Sequence, residues 1–412
     1  MRKSYNNYLQ KNEKLLNTHL NLQQTMKAFT KGMVAATAAL VMLNACTEPK
    51  KAEPQLTQSG LNPELFVDTL AGTNLYTLKN EAGMEVCITN FGGRIVSIMV
   101  PDKQGQMQDV VLAFDNVATF MDRQNHPSDF GAAIGRYANR IAQGVITVDG
   151  QEIQLPKNNF GHCLHGGPTG WQYQVYDVVE ATDNELKLKI VSPDGDNNFP
   201  GEVTAVVDYT LTEDNTLNIA YEATTTAPTV INMTNHSYFN LNGDPAQPIT
   251  NHELYVNADY YTPVDSTFMT TGEIAPVEGT PMDFRTAHSA GQDIQNFEFE
   301  QIKNGNGFDH NWCLNTKGDK SQVAASIYSP VTGILLEVFT DEPGIQVYSG
   351  NFLDGTAVGK KGIIYNQHAA ICLETQKYPD TPNKSNLEGW PSATLNPGET
   401  YTSFCAYKFS VK

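Results

Sequence analysis

The sequence predicts an all-β fold, a large antiparallel β-sandwich. Hydrophobic and polar residues alternate with a period of two over residues 202–226, where Val203, Val207 and Leu211 fall on one face of a predicted strand. Gly-, Asn-, Asp- and Pro-rich turns separate further short apolar runs, and no long amphipathic helix pattern is present. Closely spaced short strands are typical of antiparallel sandwiches rather than of alternating β and α units.

The clearest pair of strands is a hairpin. The turn "TEDNT" follows Leu211, after which Leu217, Ile219 and Tyr221 resume the alternation. Similar runs recur as "MEVCITN", "GRIVSIMV", "LKLKIVS", "PTVINMTNHSYFNL", "GILLEVFT", "IQVYSGN", "AAICLET" and "YTSFCAYKFSV".

The N-terminal region, residues 1–45, is predicted to be a removable signal, with Met26 as the true start. The segment "MKAFTKGMVAATAALVMLNAC" has a basic beginning and an apolar run from Met33 to Leu43. This run is shorter than the roughly 20 apolar residues that span a bilayer. Its end, "LNAC", resembles a bacterial lipobox and predicts a lipid on Cys46. An ordinary signal peptide that contains a cysteine is the alternative.

The rest of the chain divides into a tether and one domain. Residues 46–62 are polar and contain proline, which predicts a flexible tether behind the lipid. No second linker follows, so residues 63–412 are predicted to form a single β-sandwich domain. The expected location is the periplasmic side of a bacterial cell envelope, with membrane contact only through the lipid.

Composition excludes several classes of protein. The formal net charge of −18 would repel a polyanion, so nucleic acid is not expected as a partner, whereas a neutral small ligand meets no such barrier. Cysteines do not form CxxC pairs, which predicts buried free thiols rather than a zinc ribbon. The HExxH, GxSxG and GxGxxG motifs are absent from the sequence.

Polar residues interrupt the strand pattern in several places, first in "IGRYANRIAQG". This segment carries Arg136, Asn139 and Arg140. A guanidinium fork beside an amide suits vicinal hydroxyls or a carboxylate, and a surface salt bridge is the alternative.

Two histidines stand in similar settings. His165 in "CLHGG" precedes two glycines, which permit a tight turn and close approach of a ligand. His236 in "NMTNHSYFNL" is followed two residues later by Tyr238, on the same face of a strand. A turn residue and a core histidine are the respective alternatives.

Carboxyl and amide groups complete the set. Asp309 and His310 lie between aromatic residues in "NGFDHNW", Gln346 lies in "GIQVYSGNF", and Glu374 ends the apolar strand "AAICL". A carboxyl group held in a cleft has a raised pKa suited to a base, whereas one at a strand end simply faces water. Together these residues fit proton transfer on a polyhydroxylated neutral molecule.

Seven segments in series resemble the aldose 1-epimerase (galactose mutarotase) family: "IGRYANRIAQG", "LHGG", "NMTNHSYFNL", "TGEIAPVEGTPMDF", "GFDHNW", "QVYSGNFLDGT" and "CLETQKYPD". The similarity runs from about Phe66 to the C-terminus. It implies the galactose mutarotase-like supersandwich, with a sugar cleft across one sheet. The implied reaction interconverts the α and β anomers of aldoses such as galactose and glucose.

The resemblance also implies roles for individual residues. Glu374 is implied as the base that takes the anomeric proton, His236 as the acid that protonates the ring oxygen, and His165 as a second imidazole near the ring. The implied sugar-binding residues are Asn139, Arg140, His165, His236, Tyr238, Asp309, Gln346 and Glu374. Arg136 is left as structural.

No cofactor is required by this chemistry, and no metal ligand is assigned. Calcium stays open because some sandwiches of this type hold it, although no D-x-D-x-D loop is present. The expected partners are small neutral sugars, and a monomer or weak dimer is expected. Two alternatives stay open: a glycoside hydrolase or lyase that uses Asp309 and Glu374, and a non-catalytic sugar-binding lipoprotein.

Overall fold

Strands make up most of the regular structure in the computed structural model, which describes residues 54–412. In chain order the first strands are β1 (Leu75–Lys79), β2 (Glu85–Thr89), β3 (Arg94–Pro101), β4 (Met107–Asp109), β5 (Ala132–Ile134), β6 (Arg140–Ile141), β7 (Val145–Val148), β8 (Gln151–Gln154), β9 (Cys163–Leu164), β10 (Asp177–Ala181), β11 (Glu185–Ser192), β12 (Val203–Leu211) and β13 (Thr216–Thr225).

The remaining strands are β14 (Thr229–Val230), β15 (Thr234–His236), β16 (Tyr238–Phe239), β17 (Glu253–Val256), β18 (Tyr260–Thr262), β19 (Ala275–Pro276), β20 (His288–Ser289), β21 (Asp309–Cys313), β22 (Ala325–Tyr328), β23 (Ile334–Thr340), β24 (Gly344–Tyr348), β25 (Ile371–Gln376), β26 (Thr394–Leu395) and β27 (Tyr401–Val411). The α-helices are short: α1 (Val117–Met121), α2 (Glu300–Gly305) and α3 (Thr381–Lys384). None of the helices among the described residues has the length and apolar character needed to span a membrane.

Two large antiparallel sheets form the sandwich. One has nine strands in the order β10-β11-β12-β13-β27-β23-β22-β17-β20, and the other has six in the order β16-β25-β24-β21-β18-β19. Their facing sides meet where Phe239 of β16 packs edge-on against Tyr407 of β27, with ring centroids 5.0 Å apart. The all-β antiparallel sandwich is therefore confirmed, including the hairpin of β12 and β13, in which Leu211 pairs with Leu217.

Alternation along the six-stranded sheet separates apolar from polar side chains. Ile345, Val347 and Leu373 belong to the main hydrophobic core shared with the nine-stranded sheet. Gln346 and Glu374 are paired across β24 and β25 and therefore point to the opposite face. This face carries the functional residues.

The long run "PTVINMTNHSYFNL" forms three short strands, β14, β15 and β16, rather than one. Ser237 lies at one interruption, where its backbone N–H donates to Oδ1 of Asn235 at 3.1 Å instead of joining a ladder. His236 and Tyr238 consequently lie on different strands. Their rings nevertheless stack, with centroids 4.9 Å apart and planes 13° from parallel.

The start of the folded domain lies before Pro63. The backbone N–H of Gln58 donates to Oε1 of Glu85 at 2.7 Å, and Ser59 and Leu61 are buried. The tether predicted over residues 46–62 is therefore wrong at its C-terminal end, because an apolar side chain and its polar neighbours pack onto the sandwich there. The predicted signal and Cys46 lie outside the described residues.

The cysteines of the described segment are free and buried: Cys87, Cys163, Cys313, Cys372 and Cys405. Burial raises the pKa of the Cys163 thiol to about 12, so it stays protonated and unreactive at neutral pH. The prediction of buried free thiols is confirmed for these residues.

Candidate active site

A cleft of about 460 Å³ opens on the polar face of the six-stranded sheet. Its lining includes most of the residues predicted from sequence: Asn139, Arg140, His165, His236, Tyr238, Asp309 and Glu374. Gln346 is not part of this lining, but its Nε2 donates to Oδ1 of Asp309 at 2.7 Å. The structure therefore brings all the predicted site residues of the folded domain together.

His236 and Glu374 approach each other most directly. Nε2 of His236 lies 3.5 Å from Oε1 of Glu374, and both side chains are almost fully buried. His236 ends β15, which pairs with β5, whereas Glu374 projects from β25 of the six-stranded sheet. The second nitrogen of His236, Nδ1, and the second oxygen of Glu374, Oε2, are buried without a hydrogen-bond partner in the protein.

Burial moves both groups toward their neutral forms. Burial lowers the pKa of His236 to about 3, and the neighbouring His165 adds to this effect. Burial also raises the pKa of Glu374 well above its ordinary value, and the negative charge of Asp309 adds to that shift. A buried acid and a buried base in contact form a unit that can hold one proton between them.

His165 is fixed by its contact with Asn139. The backbone N–H of Asn139 donates to Nδ1 of His165 at 3.1 Å, and the backbone N–H of His165 donates to the carbonyl oxygen of Asn139 at 3.1 Å. Because Nδ1 is an acceptor, the hydrogen of the neutral ring is on Nε2. Burial lowers the pKa of His165 to about 3, so the ring is neutral and its Nε2–H is a donor.

Arg140 is held as a rigid plane at the edge of the cleft. Its Nε donates to Oδ1 of Asn159 at 3.0 Å, and its guanidinium lies over the ring of Phe268, 5.0 Å from the centroid. Nη1 lies 3.9 Å from Oδ2 of Asp309. This leaves a guanidinium and a carboxyl group side by side, an arrangement that binds adjacent hydroxyls.

Arg136, from the same segment as Arg140, has a different environment. Its Nη1 donates to the carbonyl oxygens of Pro200 and Gly201, each at 2.8 Å, and its Nη2 donates to Oγ of Ser192 at 2.7 Å. Arg136 does not line the cleft. It instead joins the end of β11 to the segment before β12 through these hydrogen bonds, which is a structural role.

His310 also lies away from the cleft. It is fully buried and follows Asp309 along β21, so its side chain points to the opposite face of the sheet, toward Trp312.

Other cleft residues were not predicted. They come from loops or lack a pattern in the sequence: Pro127, Asp129, Asn159, Phe160, Leu164, Tyr348 and Phe352. Some had an available signal: Asn159 lies in the polar segment "KNNFG" shortly before His165, and Tyr348 and Phe352 lie in "QVYSGNFLDGT". A second groove of about 650 Å³ adjoins the cleft and shares Asp129 and His165 with it.

Asp129, His165 and His236 form the single group of three metal-ligand side chains among residues 54–412, with ligand atoms within 4.8 Å of one another. A metal-binding imidazole presents a lone pair on one nitrogen and a hydrogen on the other. His165 has the wrong tautomer for this, because its Nδ1 accepts from Asn139 and its Nε2 carries the hydrogen. These residues therefore suit hydrogen bonding better than metal binding.

Comparisons with known proteins identify the family of this chain. The aldose 1-epimerase family model matches residues 74–408. Galactose mutarotase of Homo sapiens is 42% identical over 329 residues, which cover 80% of this chain and 92% of that protein. Aldose 1-epimerase of Escherichia coli K12 is 37% identical over 338 residues, covering 81% and 94% of the two chains.

Solved structures show the same fold. An aldose epimerase homologue from C. elegans superposes with a TM-score of 0.73 at 30% identity, covering 82% of this chain and 99% of that one. Galactose 1-epimerase from Lactobacillus acidophilus gives a TM-score of 0.72 at 30% identity, covering 84% and 96%. The chain thus belongs to the aldose 1-epimerase family.

Proposed function

We propose that this protein is an aldose 1-epimerase that interconverts the α and β anomers of free aldoses such as galactose and glucose. The observation that carries the proposal is the contact of His236 with Glu374, at 3.5 Å, inside the cleft of a family member. The family comparison favours this reaction over the hydrolase, lyase and binding-only alternatives.

Glu374 acts as the base and His236 as the acid. The carboxylate of Glu374 removes the proton of the C1 hydroxyl while the imidazolium of His236 protonates the ring oxygen, and the C1–O5 bond breaks. The open-chain aldehyde rotates about the C1–C2 bond. Closure on the other face of C1 reverses both proton transfers, so the enzyme returns to its starting state and consumes nothing.

Desolvation of the cleft supports ring opening. In the reactive form of the pair its one proton is on His236 and both groups are charged, whereas after both transfers the pair consists of a neutral carboxylic acid and a neutral imidazole. Burial disfavours the charged forms of both Glu374 and His236. The surroundings therefore stabilise the pair in the state that accompanies the open-chain sugar.

The remaining side chains hold the sugar. The neutral His165 donates from Nε2 to a sugar oxygen near the ring, and Tyr238 supports the ring of His236 from one face. Arg140, Asn139 and Asp309 bind the ring hydroxyls, with Gln346 fixing the carboxyl group of Asp309. No group in this scheme needs a cofactor, and dialysis against a chelator should leave the rate unchanged.

Polarimetry of freshly dissolved α-galactose and α-glucose tests the proposal. The wild-type protein should speed the approach to anomeric equilibrium, and Glu374→Gln and His236→Asn should each slow it by about 10²- to 10⁴-fold. Calorimetry should still detect galactose binding to Glu374→Gln, which separates lost catalysis from lost binding. A Glu374→Gln protein with the parent rate would overturn the assignment.

We also propose that the enzyme is anchored in the cell envelope by a lipid on Cys46. The lipobox-like "LNAC" and the apolar run before it support this proposal. Labelled palmitate should enter the wild-type protein and not Cys46→Ser, and the variant should leave the membrane fraction. Equal labelling of both proteins would contradict it. Gel filtration of the soluble variant tests the expected monomer or weak dimer.

A further inference from the structure

Asp129 is an ionisable residue of the cleft that the proposed reaction does not use. It lies on the loop before β5 and lines both the cleft and the adjoining groove. Its Oδ1 is buried and has no hydrogen-bond partner in the protein. A buried carboxylate oxygen without a donor is costly, so this atom is suited to accept a hydrogen bond from a ligand.

The position of Asp129 relative to His236 indicates which part of a sugar it meets. An oxygen of Asp129 and nitrogens of His165 and His236 all lie within 4.8 Å of one another. Glu374, which contacts Nε2 of His236, is not a member of that group. Two carboxyl groups, those of Glu374 and Asp129, therefore lie near His236, and only that of Asp129 is grouped with His165.

The geometry of a pyranose ring relates these two carboxyl groups to two substituents of a bound sugar. With His236 at the ring oxygen and Glu374 at the C1 hydroxyl, as the proposed function requires, the ring atom on the other side of the oxygen is C5. In a hexose C5 carries the CH₂OH group, which projects furthest from the ring. Asp129 lies at the border where the cleft opens into the groove, the space such a group would enter.

We infer that Asp129 accepts a hydrogen bond from the C6 hydroxyl of a bound hexose and selects for sugars that carry this hydroxyl. This inference rests on the proposed function. Asp129 is thus a specificity-determining residue rather than a catalytic one. A hydrogen bond to a charged group changes affinity by about ten- to hundredfold, so selection of that size is expected.

The test compares D-galactose with 6-deoxy-D-galactose, which differ only in this hydroxyl. Wild-type kcat/KM should favour galactose by about ten- to hundredfold, and Asp129→Ala should reduce the preference to about twofold or less. Asp129→Asn, which keeps one acceptor oxygen, should fall between them. Asp115→Ala is the control: this carboxyl group precedes α1, accepts from Nδ2 of Asn116 at 2.9 Å and lines neither the cleft nor the groove, so the preference of this variant should equal that of the wild type.

Because each variant is judged by the ratio of two sugars, a general loss of folded protein cancels. Equal kcat/KM for both sugars in the wild type, or an unchanged preference in Asp129→Ala, would overturn the inference and leave the epimerase activity standing. A wild-type protein that accelerates neither sugar would instead refute the proposed function.

Discussion

Nε2 of His236 lies 3.5 Å from Oε1 of Glu374, although the two residues belong to different sheets. The backbone of each residue is hydrogen-bonded to a neighbouring strand, His236 through β5 and Glu374 through β24. Both side chains are therefore already in place before a sugar binds. Such preorganisation of an acid and a base reduces the cost of reaching the reactive geometry. The predictions below concern this pair and the residues that surround it.

The first prediction concerns the pH dependence of kcat/KM. The pair works with one proton, and a second proton removes the base. Burial lowers the pKa of His236 to about 3, so this second proton binds only well below the ordinary histidine value of 6.5. After subtraction of the uncatalysed rate, kcat/KM should change by less than about twofold between pH 6 and 7. A steep loss centred on pH 6.5 would show instead that His236 titrates as an exposed imidazole.

The second prediction distinguishes the role of Arg140 in sugar binding from the structural role of Arg136, which lies in the same segment. Arg140→Lys keeps the charge but loses the Nε–H that binds Asn159 and the planar stack on Phe268. KM for galactose should rise by about tenfold with a smaller change in kcat. Arg136→Lys, the matched control, should lower the melting temperature through lost loop contacts and leave KM near the wild-type value. Equal KM values for the two variants would contradict the assigned environments.

The third prediction concerns Gly166, which follows His165. Its φ is +75°, and an added Cβ would lie 2.3 Å from the carbonyl oxygen of Gly135. Gly150 has the same φ of +75°, but its added Cβ would meet nothing within 4 Å. Gly166→Ala should therefore lower the melting temperature several times more than Gly150→Ala, since it adds a backbone clash to a similar conformational cost. It should also reduce activity by moving His165. Similar melting temperatures would refute the packing argument.

The fourth prediction concerns acid stability. His252 is fully buried, accepts the backbone N–H of Leu241 at Nε2, and has its pKa lowered by burial to about 3. Between pH 6.5 and 3 the unfolded chain binds a proton at this residue and the folded chain does not. The contribution to stability is therefore fully present above pH 6.5 and is lost as the pH falls.

Denaturant unfolding of the wild type and His252→Gln at pH 7 and pH 5 measures this contribution. The free energy of unfolding should fall less between the two pH values in the variant than in the wild type. Comparison of the two proteins removes the opposite effect of buried carboxyl groups such as Glu374, whose pKa is raised on folding. Identical pH dependence would show that His252 has the same pKa in the folded and the unfolded protein.

The sequence contained enough to predict the fold class and the principal residues of the cleft. Period-two alternation predicts which side chains of β12 are buried, because one face of that strand meets the core. Glu374 and Gln346 stood out because polar residues interrupt apolar strands there. Their pairing across β24 and β25 could not be predicted, since strand order depends on contacts between distant segments.

Other features had no local signal. Asp129 lies on a loop whose position depends on packing around β5, and nothing in its neighbours distinguishes it from an exposed turn residue. His310 and Asp309 are adjacent and equally polar in the sequence, yet alternation along β21 sends only Asp309 into the cleft. The packing of Leu61 onto the domain could not be predicted, because this single apolar residue lies in a polar, proline-containing segment.

The position of β27 constrains how the chain can be assembled. It is the last strand in chain order, yet it lies between β13 and β23 in the nine-stranded sheet. A growing polypeptide therefore holds two half-sheets whose inner edges have unpaired backbone groups until Tyr401–Val411 leaves the ribosome. The main sheet closes only after synthesis of this segment, and until then both edges are open to pairing with other chains.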